Sequence, residues 1–295
     1  MIKKRKIFFI LSGTLLLISI ASISIWGLNF GIEFTGGSLL EIKFSQERPA
    51  IGVIKEALKE ENLNSLVVQP SGEDSYILRF QEIEETIHRQ VVAKLYELDK
   101  NLEEKRFDAI GPVIGEELKR RTLWAIILSL LAIISYIAWA FRKVSWPIAS
   151  WKYGLIAVIT LFHDIVIVIG IFSLLGRFAN IEIGVPFVAA LMTILGYSVN
   201  DTIVIFDRIR ENLIKAHKEH FEDIIEHSVK QSYIRSINTS LTTLAVLVSV
   251  FFFGGETIRD FIMALIAGIF FGTYSSLFIA SPLLVVWENW RHRRQ

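Results

Sequence analysis

Six long apolar segments constrain this chain more than any other feature of its sequence. A helix needs about 20 apolar residues to cross the hydrocarbon core of a bilayer. The segments that reach or nearly reach this length are residues 7–28, 122–141, 152–175, 184–206, 237–254 and 260–286, of which the fifth is the shortest. Because the apolar residues fall in these blocks, the pattern predicts an α-helical polytopic membrane protein with six transmembrane helices.

Basic residues beside these segments predict the orientation of the chain, because short flanks rich in Lys and Arg stay in the cytoplasm. They stand before the first segment, between the second and third, after the fourth and at the end of the chain: Lys3, Lys4, Arg5, Lys6, Arg142, Lys143, Lys152, Arg208, Arg210, Arg291, Arg293 and Arg294. With six spans, all of these groups fall on one side. We therefore expect both termini in the cytoplasm.

This topology divides the chain into parts. Residues 1–28 form a cytoplasmic N-terminus and the first helix, and residues 29–121 form an extracytoplasmic domain. A five-helix bundle occupies 122–286 with a cytoplasmic loop at about 207–235, and a basic cytoplasmic tail occupies 287–295. A cleaved signal peptide is the rival interpretation of the first segment. The apolar run exceeds the usual core of about 7–15 residues and no convincing A-x-A site follows, which disfavours that interpretation.

The extracytoplasmic segment alternates between strand-like and helix-like patterns of soluble type. In chain order, the pattern predicts a strand at 36–44, a helix at 49–62, strands at 65–69 and 76–80, a helix at 84–101 and a strand at 104–110. Pro70-Ser71-Gly72 is the predicted turn between the two middle strands. The βαββαβ order predicts an α+β ferredoxin-like domain.

No catalytic or metal site of the soluble type is visible in the sequence. The chain has no cysteine, which excludes disulfides, thiolate metal sites and cysteine nucleophiles. Its six histidines show no HExxH spacing, and there is no GxxxxGK[ST] phosphate loop or GxSxG elbow. We therefore expect a protein that is not an enzyme and uses no metal or cofactor.

Ionisable residues inside the apolar segments are the functional candidates, because charge is costly in hydrocarbon. His163 and Asp164 stand about halfway along the third segment, Asn200 and Asp201 towards the cytoplasmic end of the fourth, and Arg235 at the start of the fifth. Asp201 lies roughly 7 Å inside that end, at a rise of about 1.5 Å per residue. The long side chain of Arg235 can reach a similar depth, so an Asp201–Arg235 pair is expected.

Such a pair has the properties of a proton relay. Burial favours the neutral form of Asp201 and a nearby guanidinium favours the carboxylate, so a conformational change can bind and release a proton. His163, Asp164 and Asn200 are weaker candidates for the same relay. The alternatives are that Arg235 extends to lipid headgroups, that Asp201 is a static structural carboxylate, and that His163 and Asp164 form a satisfied hydrogen bond between helices.

Small residues recur every four positions on the sixth segment, at Ala264, Gly268 and Gly272. Such a stripe lets another helix approach closely. The sequence leaves open whether that helix belongs to this chain or to a partner.

Several motifs together resemble the SecD/SecF family of protein-export membrane proteins, on its SecF side. They follow the family's order along nearly the whole chain: GIEFTGG at 31–37, GPVIGEEL at 111–118, HD at 163–164, GYSVNDT at 196–202 running into DRIREN at 207–212, Arg235 with NTS at 238–240, and GTYSS at 272–276. The first motif contains Glu33, Gly36 and Gly37, and Glu33 stands where the family usually carries Asp. Asp201 and Arg235 match the family positions implicated in proton passage.

The resemblance implies a subunit that works with SecD in the bacterial cytoplasmic (inner) membrane. Together they would assist the SecYEG channel, using the proton motive force to move exported polypeptides outward after insertion driven by SecA. The implied partners are SecD, SecYEG, unfolded exported polypeptide and membrane lipids, with YajC and YidC as further candidates and no nucleic acid. Proton coupling takes the place of a cofactor.

The family belongs to the wider RND superfamily, whose members usually double a six-span unit, so this chain corresponds to half an RND-type unit. Half of an RND-type exporter of small molecules or lipids is therefore the alternative function. The single six-span unit and the absence of a large docking domain disfavour it. An intramembrane enzyme is disfavoured because no nucleophile-and-base pair, two-Asp protease motif or HExxH is visible.

Overall fold

The computed structural model describes residues 2–61, 63–140, 150–215 and 220–292. Four of the basic residues behind the predicted orientation, Arg142, Lys143, Arg293 and Arg294, lie outside the described residues. The chain divides into two compact units, a membrane unit of Met1–Asn29 with Trp124–Gln295 and a small unit of Phe30–Leu123.

One long helix begins the chain, short helices and strands follow it, and long helices make up the rest. The helices are α1 (Arg5–Trp26), α2 (Ile32–Thr35), α3 (Ile51–Ala57), α4 (Glu85–Leu98), α5 (Pro112–Ala140), α6 (Ser150–Ala179), α7 (Val185–Lys215), α8 (Phe221–Phe253), α9 (Glu256–Ser275) and α10 (Ser281–His292). The strands are β1 (Gly37–Lys43), β2 (Val67–Ser71), β3 (Ser75–Phe80) and β4 (Glu103–Ile110). Short 3₁₀ turns at Ile2–Lys4 and Lys59–Glu61 and a π-helical segment at Ser276–Ala280 complete the described structure.

The small unit is a four-stranded antiparallel sheet covered by helices. The strands lie in the order β2-β3-β1-β4, with β1 paired to both β3 and β4. Alternate residues of β1, Leu40 and Ile42, are fully buried together with Ile54 of α3 and Val91 and Leu95 of α4. Because one helix connects β1 to β2 and the other connects β3 to β4, this arrangement confirms the predicted βαββαβ ferredoxin-like domain.

The turn between β2 and β3 lies later than the sequence predicts. Pro70 and Ser71 belong to β2, where they pair with Tyr76 and Ser75. The chain reverses just beyond them, at Gly72, whose φ is 61°. A proline fits this strand because β2 is at the edge of the sheet, where a missing N–H breaks no ladder.

A β-bulge in β4 directs a carboxylate toward α4. Glu41 is paired with Arg106 and the next residue, Ile42, with Glu104, so Lys105 is the extra residue. The bulge turns Glu104 to the helix-covered side of the sheet. There Glu104 Oε1 lies 3.0 Å from Nε2 of the buried His88, whose ring stacks on Phe107 with centroids 3.8 Å apart.

Asp99 joins the end of α4 to the loop after β1. Its carboxylate accepts hydrogen bonds from the backbone N–H of Ser45 at 2.7 Å and from the backbone N–H of Asn101 at 2.9 Å. The Ser45 hydroxyl donates to it as well. These donors, the Ser45 N–H first, hold the pKa of Asp99 below its ordinary value.

Long apolar helices build the membrane unit. Among the described residues, those long and apolar enough to cross a membrane are Ile2–Trp26, Pro112–Ile137, Trp151–Ala179, Val185–Lys215, Phe221–Phe253 and Ile258–Trp290. Helix α1 packs on α6, and α7, α8 and α9 pack on one another. The six predicted spans are therefore present, in a multi-pass α-helical architecture.

The predicted loop at about 207–235 is largely helical. Helix α7 continues to Lys215 and α8 already begins at Phe221. The charged residues after Phe206 form ion pairs one helical turn apart along this continuation of α7: Asp207–Arg210, Arg208–Glu211 and Glu211–Lys215. Residues 216–219 of the predicted loop lie outside the described residues.

The sequence predicts the sixth span as a single helix. The structure instead contains the π-helical segment Ser276–Ala280 between α9 and α10. Such single-turn π segments are frequent at functional sites. This one begins within the GTYSS motif and is almost entirely buried, with Ser276, Leu277 and Ala280 at 0% exposure.

Candidate functional site

Asp201 is a half-buried carboxylate near the middle of α7, deeper along its helix than the sequence predicts. Its Oδ1 accepts a hydrogen bond of 2.6 Å from the hydroxyl of Ser236 on α8. Its Oδ2 is buried and has no hydrogen-bond partner among the described residues. Asp201 therefore has one oxygen held in place and one oxygen open to a new partner.

Arg235 precedes Ser236 and lies beside the same carboxylate. Asp201 and Arg235 both line a cavity of about 60 Å³, together with Tyr197, Asn200, Val204, Ser236 and Thr239. Arg235 and Val204 also line a larger cavity of about 410 Å³ among the charged residues of the helix ends. The ion pairs of the described residues do not include Asp201–Arg235. The two predicted relay residues are thus brought to one cavity without a direct salt bridge.

His163 and Asp164 form a different kind of site in the centre of the bundle. Asp164 is 0% exposed and its Oδ2 accepts hydrogen bonds from Ser198 of α7 at 2.6 Å and Ser275 of α9 at 2.8 Å. Its Oδ1 lies 2.9 Å from His163 Nδ1. Asp164 therefore joins α6, α7 and α9, and both of its oxygens have partners, whereas His163 Nε2 has none among the described residues.

Hydroxyl groups continue this polar core toward α8. Thr202 Oγ1 lies 2.8 Å from Ser276 Oγ, and Thr273 Oγ1 lies 2.5 Å from Ser240 Oγ. Tyr197 donates to Ser240 at 3.2 Å. Pairing each buried hydroxyl with another offsets the cost of removing it from water.

A stripe of serines on α8 contributes Ser240 to this core and Ser236 to the contact with Asp201, and the sequence prediction missed the stripe. Ser228, Ser232, Ser236 and Ser240 recur every four residues and are all buried, with exposures of 0%, 5%, 2% and 4%. This spacing places them on one face of the helix. The same small-xxx-small rule that singled out Ala264, Gly268 and Gly272 would have found them. Ser198, Ser275 and Ser276, by contrast, lie inside motifs that the sequence singled out only as a resemblance.

The stripe on α9 lies against α7 of the same chain at two of its positions. A Cβ added at Gly268 would come within 2.2 Å of the Ile194 side chain, and one at Gly272 within 3.0 Å of Ser198 Cβ. Ala264 is also fully buried. Between the two alternatives that the sequence left open, the geometry at Gly268 and Gly272 favours a contact within the chain.

The GG motif shapes the start of the small unit. Glu33 lies half-buried in the single turn of α2, and Gly36 and Gly37 follow with φ of 72° and 129°, values that favour glycine. A Cβ on Gly36 would lie 2.8 Å from Cα of Pro112, and one on Gly37 would lie 2.8 Å from the carbonyl oxygen of Phe80. The motif therefore serves close backbone packing in the small unit.

Comparison with known proteins identifies the family. The protein-family model "Protein export membrane protein SecD/SecF, C-terminal" matches residues 90–290, and the family model "SecD/SecF GG Motif" matches residues 22–47. The chain belongs to the SecD/SecF family. The first match contains Asp164, Asp201 and Arg235, and the second contains Gly36 and Gly37, so the family signal covers both the polar core and the glycine motif.

Named relatives refine the position of the chain within the SecD/SecF family. "Protein translocase subunit SecF" of Thermobaculum terrenum is 42% identical, over 98% of this chain and 93% of the relative. The protein of the same name from Sebaldella termitidis is 41% identical, over 99% of this chain and 92% of the relative. The solved structure of SecDF, a translocon-associated membrane protein from Thermus thermophilus, matches with a TM-score of 0.86 and 29% identity. That match covers 98% of this chain and 38% of the SecDF chain.

Proposed function

We propose that this chain is the SecF-type subunit of a protein translocase and that it couples polypeptide export to proton flow with a SecD partner. The SecF-type relatives support the translocase role and disfavour the alternative of a small-molecule or lipid exporter. The SecDF match supports the SecD partner, because this chain spans 38% of that longer protein. The other proposed partners are the SecYEG channel and unfolded exported polypeptide, with YajC and YidC as further candidates.

One observation supports the proton coupling most directly, namely the contrast between the two carboxylates of the bundle. Asp164 has partners on both oxygens, which suits a structural carboxylate that holds three helices together. Asp201 has a buried Oδ2 with no hydrogen-bond partner among the described residues, and Asp201 lines a cavity together with Arg235. A carboxylate with an open oxygen can take up a proton without breaking an existing bond, and a nearby Arg can compensate its charge when the proton leaves. We assign the relay to Asp201 and Arg235, and Asp164 to structure; no cofactor takes part.

The test is export through a reconstituted translocase containing SecD, with and without an imposed proton gradient. We expect Asp201→Asn to assemble normally and to lose the gradient-dependent gain in export, because the amide cannot carry the exchanged proton. Asp223→Asn, an exposed carboxylate in the first turn of α8, is the matched control and should keep the gain. A full gain with Asp201→Asn would reject the relay.

Partner choice and orientation have separate tests. A tagged chain in mild detergent should retain SecD and SecY, whereas recovery of a periplasmic adaptor alone would favour the exporter.

Because the chain has no cysteine, single cysteine substitutions report the topology of the chain without background labelling. In a bacterial inner membrane with both termini in the cytoplasm, Glu73→Cys should react with an impermeant maleimide on intact spheroplasts. His220→Cys should react only after permeabilisation, and the opposite pattern would refute the orientation.

A further inference from the structure

Ser236 bonds across to a carboxylate of a neighbouring helix instead of to its own helix. Hydroxyls within α8 commonly bond back to the carbonyl one turn earlier: Ser228 to Ile224, Thr242 to Asn238, Thr243 to Thr239 and Ser249 to Ala245. Ser236 instead donates across to Asp201 of α7, at 2.6 Å. It has no bond to the carbonyl of Ser232 among the described contacts.

Two features make this contact a strong constraint on the carboxylate. Ser236 is 2% exposed, so water does not compete for its proton. A distance of 2.6 Å lies in the range of charge-assisted O–H···O⁻ bonds, which are roughly twice as strong as neutral ones. Because the bond goes to Oδ1, it fixes the rotation of the carboxylate as well as its position.

Fixing Oδ1 determines where the other oxygen points. Oδ2 is buried, lacks a partner among the described residues, and belongs to the residue that lines the cavity of about 60 Å³ with Arg235. Arg235 and Ser236 are consecutive on α8, and a step of about 100° around the helix separates their side chains. One turn of α8 therefore brings a neutral donor to the carboxylate of Asp201 and a cation to the cavity that Asp201 lines.

We propose that Ser236 is a positioning residue for the proton relay: it holds Oδ1 of Asp201 so that Oδ2 is the oxygen that exchanges the proton in the cavity shared with Arg235. The inference rests on the proposed function of Asp201 and adds the division of work between its two oxygens. Ser236 itself carries no proton to or from the cavity. Its hydroxyl proton stays on Ser236 throughout the cycle.

Infrared difference spectroscopy of the full chain with its SecD partner tests the contact directly. The carbonyl stretch of protonated Asp201 is the band that disappears in Asp201→Asn. With Ser236→Ala this band should move to higher wavenumber, because the carboxyl group loses its hydrogen bond. Ser236→Thr keeps a hydroxyl and should restore the position found in the native chain. Ser249→Ala, whose hydroxyl bonds within its own helix, is the matched control and should leave the band unmoved.

Gradient-dependent export of the same variants supplies the second reading. We expect a large loss with Ser236→Ala and recovery with Ser236→Thr, while Ser249→Ala exports at the native level with and without the gradient. An unmoved Asp201 band in Ser236→Ala, or equal export by the Ala and Thr variants, would overturn the positioning role while leaving the Asp201 relay in place. If Asp201→Asn exports with a full gradient-dependent gain, the relay fails, and the band position still decides whether Ser236 holds the carboxylate.

Discussion

A methyl group added at residue 268 tests a close contact between two helices of the membrane unit, α9 and α7. The new Cβ of Gly268→Ala would lie 2.2 Å from both Cδ1 and Cγ1 of Ile194, and 2.8 Å from Cγ2. Ile194 is 1% exposed, so its side chain has little room to move away. Overpacking of this kind costs about 1–3 kcal/mol, and the better helix propensity of Ala returns up to about 1 kcal/mol. We expect a net loss of about 1–2 kcal/mol in the free energy of unfolding.

Reversible unfolding in mixed micelles, followed by circular dichroism, measures this loss against a graded series. Gly272→Ala should cost less, because its nearest atom, Ser198 Cβ, would be 3.0 Å away. Gly13→Ala, with nothing within 4 Å, should be neutral or slightly stabilising. If all three glycine variants unfold alike, α7 and α9 do not approach as closely as described.

A double-mutant cycle identifies Ile194 as the cause. Ile194→Ala removes the three atoms that the new Cβ would meet, and in a native background the substitution should cost about 2–5 kcal/mol. In the Gly268→Ala background the same substitution relieves the overlap, so its added cost should be smaller by about 1–2 kcal/mol. Strict additivity of the two losses would refute the steric explanation.

Three further predictions concern other parts of the chain. Lys152 and Glu288 form a buried ion pair at 3.1 Å. Lys152→Met should therefore lower the free energy of unfolding by about 3–5 kcal/mol, and adding Glu288→Leu should recover most of that loss. Equal losses in the single and the double variant would contradict the pairing. The lowered pKa of Asp99 contributes stability above the ordinary Asp pKa of about 3.9 that is lost as pH falls through the folded value. At pH values below about 4 the melting temperature of the small unit should therefore decrease, and it should decrease less steeply in Asp99→Asn. Parallel curves of melting temperature against pH for the two proteins would refute this role of Asp99. His88→Ala should destabilise the small unit more than His88→Phe, which keeps the stacking on Phe107, and hydrogen exchange of α4 measures both.

Local patterns were sufficient to predict much of the fold. Segment length identified the six spans, and the alternation of strand and helix patterns in the small unit identified the βαββαβ order. The boundaries were less accurate where local chemistry misled. Pro70 and Ser71 resemble a turn but extend an edge strand, and the fourth segment was ended at residue 206 although α7 continues to Lys215.

The site was predicted in part, because a single charged residue in an apolar segment is visible in sequence and its neighbours on other helices are not. Asp201 and Arg235 were identified by their charge and by their depth in the segments, although both lie near the middle of longer helices than expected. The bonds from Ser198 to Asp164 and from Ser236 to Asp201 depend on how α7 and α8 are rotated. That rotation follows from tertiary packing, so a serine that serves the site resembles any other serine in the sequence.

Two structures of the complex with SecD, one at a pH where Asp201 is ionised and one of Asp201→Asn, test the central claim most directly. If Asp201 gives up its proton beside a cation, the Arg235 guanidinium should lie within about 4 Å of the ionised Asp201 Oδ2 in the first structure. It should move away from position 201 in the second, while Ser236 stays in place in both. Identical positions of Arg235 in the two structures, with residue 201 facing bulk water, would contradict the mechanism even though the SecD/SecF assignment would stand.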